Sequence, residues 1–211
     1  MTDPGLRVRK QQRAREQIVE AAYALFAERG FDAVTVTDIA ARAEVGRTTY
    51  FRHFGDKQEV VFADEQRHAE RMAVVRAAGG PPVEGLPAAL RVVAEVVLAV
   101  SDDVVGDPAR YGVYTRLLAA HPELADRMRR KLDRLTGELA DLLTDRGADR
   151  EIAALAAGLG IACFLTAYRL AGEDATALLP ALRRAFDRLQ ALVPDGPRPR
   201  RTAGRSASPR S

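Results

Sequence analysis

Apolar residues recur along most of the chain at the three- and four-residue spacing that places them on one face of a helix. The first stripe holds Ile18, Ala22 and Leu25, and a longer one runs from Leu124 to Leu142. No period-two alternation persists long enough for a strand, and no unit repeats at a fixed period. The spacing therefore predicts an all-α fold with helices over about 15–29, 36–43, 47–53, 57–78, 86–100, 109–120, 122–146, 149–171 and 175–193.

Capping residues and helix breakers indicate where the helices begin and end. Thr35 and Asp38 have the spacing of a capping box, and Asp56 and Glu59 repeat it. We expect the second pair to open one long helix that ends where Gly-Gly-Pro-Pro at 79–82 interrupts the pattern.

Charge is unevenly distributed along the 211 residues, although the formal net charge is only +3. Residues 1–15 and 196–211 each contain five basic residues, whereas 61–195 is slightly acidic. Basic ends are typical of proteins with an anionic partner such as nucleic acid, but they also promote solubility, and charge alone leaves both interpretations open. We expect residues 1–14 to form a basic disordered arm and 196–211 a basic disordered tail.

Composition argues against several classes of protein. One cysteine and three scattered histidines favour neither a disulfide framework nor a metal site. Asp102 and Asp103 are adjacent carboxylates, but they fall in an expected polar loop at 101–108 with no histidine nearby. Nucleophile-elbow, P-loop and dinucleotide-binding patterns are absent from the sequence. We therefore expect no catalytic residues, no metal and no cofactor.

Residues 152–168 carry no charge, so a membrane span has to be considered. The run is shorter than the roughly 20 residues that a span needs, and it is rich in Ala and Gly. It fits a soluble helix buried on nearly all sides, either at a dimer interface or in the core of a monomer. With no secretory signal visible, we expect a cytoplasmic protein without membrane association.

Two short helices at 36–43 and 47–53, joined by a tight turn, are typical of a helix-turn-helix. The segment from Gly30 to Lys57 (GFDAVTVTDIAARAEVGRTTYFRHFGDK) resembles the DNA-binding domain of the TetR/AcrR family of regulators. The similarity extends back through 15–29 and covers about the first quarter of the chain.

This resemblance implies an N-terminal three-helix DNA-binding domain at 15–60, with the helix-turn-helix at about 36–55. It also implies a C-terminal helical bundle at 61–195 for ligand binding and dimerisation. The expected function is that of a homodimeric repressor, bound to a pseudo-palindromic double-stranded DNA operator and controlled by a small-molecule effector.

Residues near the second and third helices are the candidate DNA contacts. Short polar and cationic side chains at the start of a recognition helix can address base edges, and a cation in the first turn of the following helix suits a phosphate. A solvated lysine is the alternative for Lys57, and a side chain that points into the core is the alternative for Tyr50. The candidates are Thr35, Thr37, Arg47, Thr48, Thr49, Tyr50, His53 and Lys57.

Three positions depart from the family pattern. Glu44 stands where the family usually has Gly, and Gly46 where it often has Ser. Phe51 replaces a tyrosine that often contacts phosphate, so an aromatic phosphate contact is in doubt here.

The larger or polar residues of the C-terminal helices are the candidate effector contacts, with ordinary core or surface roles as the alternative. They are Tyr111, Tyr114, Arg116, Met128, Phe164 and Tyr168. The run from Arg116 to Leu124 is similar to one in regulators that bind acyl-CoA-like ligands, which suggests that effector class. A ligand-independent architectural DNA-binding protein and an all-α enzyme are the competing functions.

Overall fold

The computed structural model describes the backbone of residues 4–193 and the side chains of residues 9–64 and 67–193. This part of the chain is all-α, as the apolar spacing predicts. Its ten helices are α1 (Pro4–Arg29), α2 (Val36–Arg42), α3 (Arg47–His53), α4 (Lys57–Val61), α5 (Glu65–Ala78), α6 (Gly85–Val105), α7 (Pro108–Ala120), α8 (Pro122–Asp145), α9 (Arg150–Ala171) and α10 (Ala175–Leu192).

Helices α1 to α4 surround a small core of their own. Ile18 and Leu25 of α1 meet Ile39 of α2 and Tyr50 of α3, and each of these side chains is almost fully buried. Gly30 ends α1 with a φ of +76°, a conformation in which a side chain would be strained. The three-helix unit expected near the N-terminus is therefore present.

The second core lies among α6, α8, α9 and α10. Helix α9 is central to it and packs against the other three. Its small residues permit close approach, since a Cβ added at Gly160 would overlap the Val93 side chain of α6. The burial of Cys163 matches its expected role as a small core residue.

The two cores meet at α7. Val113, Leu117 and Leu118 of α7 and Leu124 of α8 belong to the N-terminal cluster, although they lie far beyond residue 60 in the sequence. The packing therefore joins α7 to the core of α1 to α4. The boundary between residues 60 and 61 that the sequence suggests does not separate two independent cores.

Helix α1 begins earlier than the sequence pattern predicts. Residues 4–14, which we expected to form a disordered arm, are helical. The expectation was wrong because Pro4 and Gly5 lie in the first turn, where proline is tolerated, and no helix breaker follows them, so the stretch continues α1 as a mostly polar extension. The predicted basic tail at 196–211 lies outside the described residues.

The expected single helix at 57–78 is two helices with a break at residues 62–64. Two side chains of α1 bind backbone carbonyls there: Tyr23 Oη donates to the oxygen of Val61 at 2.8 Å, and Arg15 Nη2 to that of Ala63 at 2.8 Å. These bonds satisfy carbonyl groups at the helix end and stabilise the break.

The expected loop at 101–108 is also mostly helical, because α6 continues to Val105. Ser101 is buried, and Asp103 accepts two hydrogen bonds from Arg71 of α5, at 2.7 and 2.8 Å. Long-range contacts therefore stabilise a segment whose local sequence looks like a loop.

Helix α9 is long and apolar enough to cross a membrane by length and composition alone. One side of it is buried against α6, α8 and α10, through residues such as Ala153, Ala156 and Ala157. The other side is exposed in the single chain, with Leu155 half exposed. The expectation of burial on nearly all sides is therefore not met within one subunit.

Candidate nucleic-acid interface

Helix α2 begins with the predicted capping box. The Thr35 hydroxyl accepts from the Asp38 amide at 3.2 Å, and the Asp38 carboxylate accepts from the Thr35 amide at 2.8 Å. The Thr35 hydroxyl also donates to the Asp38 carboxylate at 2.6 Å, and this bond, followed by the one from the Thr35 amide, lowers the pKa of Asp38. Thr35 and Thr37 are both exposed, so the start of α2 presents two hydroxyl-bearing side chains to solvent.

The turn between α2 and α3 contains an unusual backbone conformation. Glu44 has a φ of +54°, the left-handed region that glycine favours, whereas Gly46 has an ordinary φ of −71°. The structure thus shows why a glycine suits position 44. Gly46 caps α3 with no side-chain hydrogen bond, as the sequence indicates.

Helix α3 exposes a short polar and cationic surface. Arg47 and Thr48 are exposed and Thr49 is partly exposed. Phe51 is 47% exposed, and the Arg47 guanidinium lies 5.9 Å from its ring centroid. Arg52 is exposed as well and donates to the Thr49 hydroxyl at 3.0 Å. Phe51 and Arg52 are therefore part of this exposed surface, although they are not among the residues that the sequence predicts as contacts.

Tyr50 is a correction to the predicted DNA contacts. Its side chain is fully buried, it packs against Phe54, and its hydroxyl donates to the Asp56 carbonyl oxygen at 3.1 Å. Burial raises its pKa. Since no part of the ring reaches the surface, Tyr50 holds α3 on the core rather than contacting a ligand.

Lys57 and His53 lie beside this surface and are partly buried. Lys57 Nζ donates to the Phe31 carbonyl oxygen at 2.8 Å and lies 4.1 Å from the Phe31 ring centroid. Lys57 thus has a structural role, and the remaining N–H groups of its ammonium can still donate to another acceptor. Burial, and then the nearby Arg15 and Arg52, lowers the pKa of His53, so this imidazole is neutral at pH 7.

Several side chains connect α3 and α4 to the rest of the molecule. Arg15 donates to the His53 carbonyl oxygen at 3.3 Å and covers the Phe54 ring at 4.3 Å. Asp56 caps α4 through the Glu59 amide and also pairs with Arg127 of α8 at 3.0 Å. The position of the helix-turn-helix is therefore coupled to α1 and α8.

A largely apolar cavity of about 190 Å³ lies in the helical body. Five of the six predicted effector contacts line it: Tyr111, Tyr114, Met128, Phe164 and Tyr168. Arg116, the sixth, is outside the cavity lining. It is more than half exposed and pairs with Glu173 at 2.6 Å, so its placement among the effector contacts was wrong.

Three further residues that line the cavity connect the cavity to α1. Arg110 of α7 pairs with Asp64 at 2.9 Å, and its guanidinium lies 4.7 Å from the ring centroid of Tyr23. Tyr23, Asp64 and Arg110 line both the cavity and a second groove beside α1. Burial raises the pKa of Tyr23 to about 12, so the phenol keeps its proton and its hydrogen bond to Val61.

Comparisons with known proteins identify the first unit. Residues 18–63 match the family described as "Bacterial regulatory proteins, tetR family". The HTH-type transcriptional regulator TcmR of Streptomyces glaucescens is 33% identical over 198 residues, which cover 89% of this chain and 87% of TcmR. A transcriptional repressor of Mycobacterium tuberculosis is 46% identical over 66 residues, covering 29% of this chain and 35% of the repressor.

Solved structures resemble the chain over most of its length. A TetR-family regulator from Streptomyces coelicolor is 27% identical, with a TM-score of 0.52, covering 87% of this chain and 96% of its own. The Thermus thermophilus repressor FadR, solved in complex with lauroyl-CoA, is 25% identical with a TM-score of 0.54, covering 88% of this chain and 98% of its own. These relatives are DNA-binding regulators rather than enzymes. Because the similarity to TcmR extends over most of both chains, the chain belongs to the TetR family of bacterial transcriptional regulators.

Proposed function

We propose that the protein is a homodimeric repressor whose two α3 helices bind successive major grooves of a pseudo-palindromic operator, and that a small, largely apolar effector releases it. Residues 15–60 form the DNA-binding domain in this proposal, and 61–195 the effector-binding and dimerisation domain. Half-sites would lie about 34–36 Å apart, or a multiple of that distance.

The exposed residues of the helix-turn-helix supply the DNA contacts in this proposal. Arg47 at the start of α3 would read a guanine, since its planar fork matches the two acceptors of that base. Thr48 and Thr49 would contact neighbouring base edges. Thr35, Thr37, His53 and Lys57 would contact the backbone, where position matters more than sequence. The exposure of Arg47 and Thr48 supports these roles.

The exposed sides of α9 and α10 form the dimer interface in this proposal. Leu155, Gly158 and Ala162 follow one another at helical spacing on the exposed side of α9. Leu170 is 74% exposed and Leu192 of α10 is 79% exposed. Two such faces would remove apolar surface from water when they meet, and small residues would let the helices approach closely.

One observation carries the effector mechanism: the cavity and the DNA-binding unit share Tyr23. This residue lines the cavity, belongs to α1 and binds the carbonyl at the end of α4. A molecule that displaces Tyr23 or its neighbour Arg110 would therefore shift α4 and the attached α3. The two recognition helices of a dimer would then no longer match the operator spacing.

An acyl-CoA-like effector is one candidate class. The Thermus thermophilus FadR complex with lauroyl-CoA supports it by similarity of structure. The sequence run that begins at Arg116 supports it less, because Arg116 pairs with Glu173 outside the cavity lining.

The test is a thermodynamic cycle. A genomic fragment that the purified protein selects is labelled, and its affinity is measured with and without a compound that raises the Tm of the free protein. The compound should weaken DNA binding by the same factor by which DNA weakens compound binding. Equal compound affinity for free and DNA-bound protein would contradict effector control and favour an architectural DNA-binding protein.

A further inference from the structure

The cavity in the helical body has an aromatic wall. Phe164 and Tyr168 of α9 are stacked, with ring centroids 6.1 Å apart and an interplanar angle of 24°. Tyr111 of α7 meets Tyr168 edge-on at 6.4 Å and 77°. Aromatic faces and edges of this kind favour a further ring as a neighbour, because their quadrupoles complement one another in stacked and edge-to-face arrangements.

Nε and Nη2 of Arg110 in this cavity make no hydrogen bond within the described part of the chain, but the Arg110 guanidinium forms an ion pair with Asp64. Three further buried polar atoms of the cavity lining make no hydrogen bond with any residue that the structure describes. They are Tyr111 Oη, Tyr168 Oη and His68 Nε2, contributed by α7, α9 and α5. Burial raises the pKa of both tyrosines, and the nearby Thr115 hydroxyl only partly opposes this effect. That hydroxyl donates its own hydrogen to the Tyr111 carbonyl oxygen at 3.0 Å. Buried polar groups are normally paired, so three such atoms around one cavity call for a partner.

The hydroxyl of Tyr114, which also lines the cavity, provides the contrast. Tyr114 Oη donates to Met128 Sδ at 3.2 Å. Two of the tyrosine hydroxyls thus remain available, while that of Tyr114 already has an acceptor.

His68 offers hydrogen bonds without adding a charge to the cavity, whose lining also contains the Asp64–Arg110 ion pair. Burial lowers its pKa, and this effect exceeds the opposing influence of Asp64 and Asp103. Arg67 and Arg71 also lower it. The neutral imidazole has one donor and one acceptor nitrogen, and each tyrosine hydroxyl can both donate and accept.

We infer that the effector is a phenol: a substituted aromatic ring that stacks on the Phe164–Tyr168 wall and exchanges hydrogen bonds with the hydroxyls of Tyr111 and Tyr168 and with His68. This inference rests on the proposed effector control. A hydrocarbon or an acyl chain would fill the same space but leave the three atoms buried without partners, which disfavours both. The cavity volume of about 190 Å³ exceeds the roughly 150 Å³ of an apolar cavity that holds benzene, so a substituted single ring fits.

Thymol and p-cymene form a matched pair of probes, since they differ only in the phenolic hydroxyl. Isothermal titration of the full-length protein should give at least about tenfold tighter binding of thymol, the gain expected of one or two hydrogen bonds. The double variant Tyr111→Phe, Tyr168→Phe should reduce this preference to about threefold or less. Tyr114→Phe should reduce it less, because its hydroxyl is already bonded to Met128.

The stability of the ligand-free protein gives an independent readout. Removing an unpaired buried hydroxyl should leave the Tm of Tyr168→Phe equal to or above that of the wild type, whereas Tyr114→Phe should lower it by losing a bonded hydroxyl. A tyrosine with only a structural role would lose stability on this change. A lowered Tm for Tyr168→Phe would show that its hydroxyl has an internal partner and would overturn the inference.

Other outcomes separate this inference from the proposed function. Equal binding of thymol and p-cymene, binding of neither, or binding of lauroyl-CoA alone would overturn the phenol assignment and leave effector control intact. Tight thymol binding with no change in operator affinity would instead support a phenol site in the cavity, contradict effector control and overturn the assignment of the phenol as effector.

Discussion

Replacing Glu44 with glycine should stabilise the protein. Glu44 is exposed in the turn between α2 and α3 and has a φ of +54°. For residues with a Cβ the left-handed region costs roughly 1–2 kcal/mol, because Cβ crowds the following carbonyl oxygen. Glycine avoids that cost, but it gains about 0.5–1 kcal/mol of conformational freedom in the unfolded chain. The net stabilisation should be about 0.5–1 kcal/mol.

Two other substitutions isolate the cause. Glu44→Ala removes the carboxylate but keeps Cβ, so it should leave the strain and give no gain. Ala41→Gly places the same new residue at an exposed position in the last turn of α2, where it should destabilise by up to about 1 kcal/mol. The two glycine variants should therefore shift stability in opposite directions although they lie three residues apart.

The assay is reversible thermal unfolding followed by circular dichroism. For a chain of 211 residues, 0.5–1 kcal/mol corresponds to a rise in Tm of about 1–4 °C for Glu44→Gly. A rise of equal size in Glu44→Ala would mean that the carboxylate, not the backbone, is unfavourable there. No rise in Glu44→Gly would refute the strain argument altogether.

The remaining predictions concern DNA binding and helix packing. Arg47→Ala should cost about 1–3 kcal/mol of operator affinity, measured by fluorescence anisotropy, and should relax the preference at one base pair; an equal loss on all sequences would contradict base reading. Lys57→Ala should reduce the slope of log affinity against log salt by about one. An unchanged slope would mean that Lys57 makes no phosphate contact and serves only its hydrogen bond to Phe31. Gly160→Ala should destabilise by about 1–3 kcal/mol in denaturant unfolding, because its Cβ overlaps Val93. Its control is Gly137→Ala, whose Cβ meets no atom within 4 Å and which should stabilise an exposed helix slightly; equal effects of the two would refute the packing argument.

Local signals were sufficient for the helix-turn-helix. The capping box at Thr35 and Asp38 is present as predicted, and α3 has the expected bounds of 47–53. Such signals involve neighbours within one turn of helix, so the sequence displays them directly. The same applies to Gly30 at the end of α1 and to Pro122 in the first turn of α8.

Features that depend on distant residues were not predictable in this way. The break between α4 and α5 depends on Arg15 and Tyr23, which lie 38 to 48 residues before the carbonyls they bind. The extension of α6 is supported by Arg71, 32 residues before its partner Asp103. Adjacent polar residues in a sequence give no sign of such partners.

The candidate site shows the same division. Five of six proposed effector contacts line the cavity, because large side chains among small ones tend to face interior space. Arg116 does not, since its partner Glu173 is set by the tertiary fold. Tyr50 is adjacent to Thr49 in α3, and its packing on Phe54 decides between the DNA contact and the core position that the sequence left open.

The most direct test of the central claim is selection of DNA fragments from the source genome by the purified full-length protein. At about 150 mM salt, nonspecific attachment to phosphates is reduced. A sequence-specific dimeric regulator should enrich one short inverted repeat with half-sites about one or two helical turns apart. Uniform recovery of fragments across the genome, with no enriched repeat, would contradict the proposal.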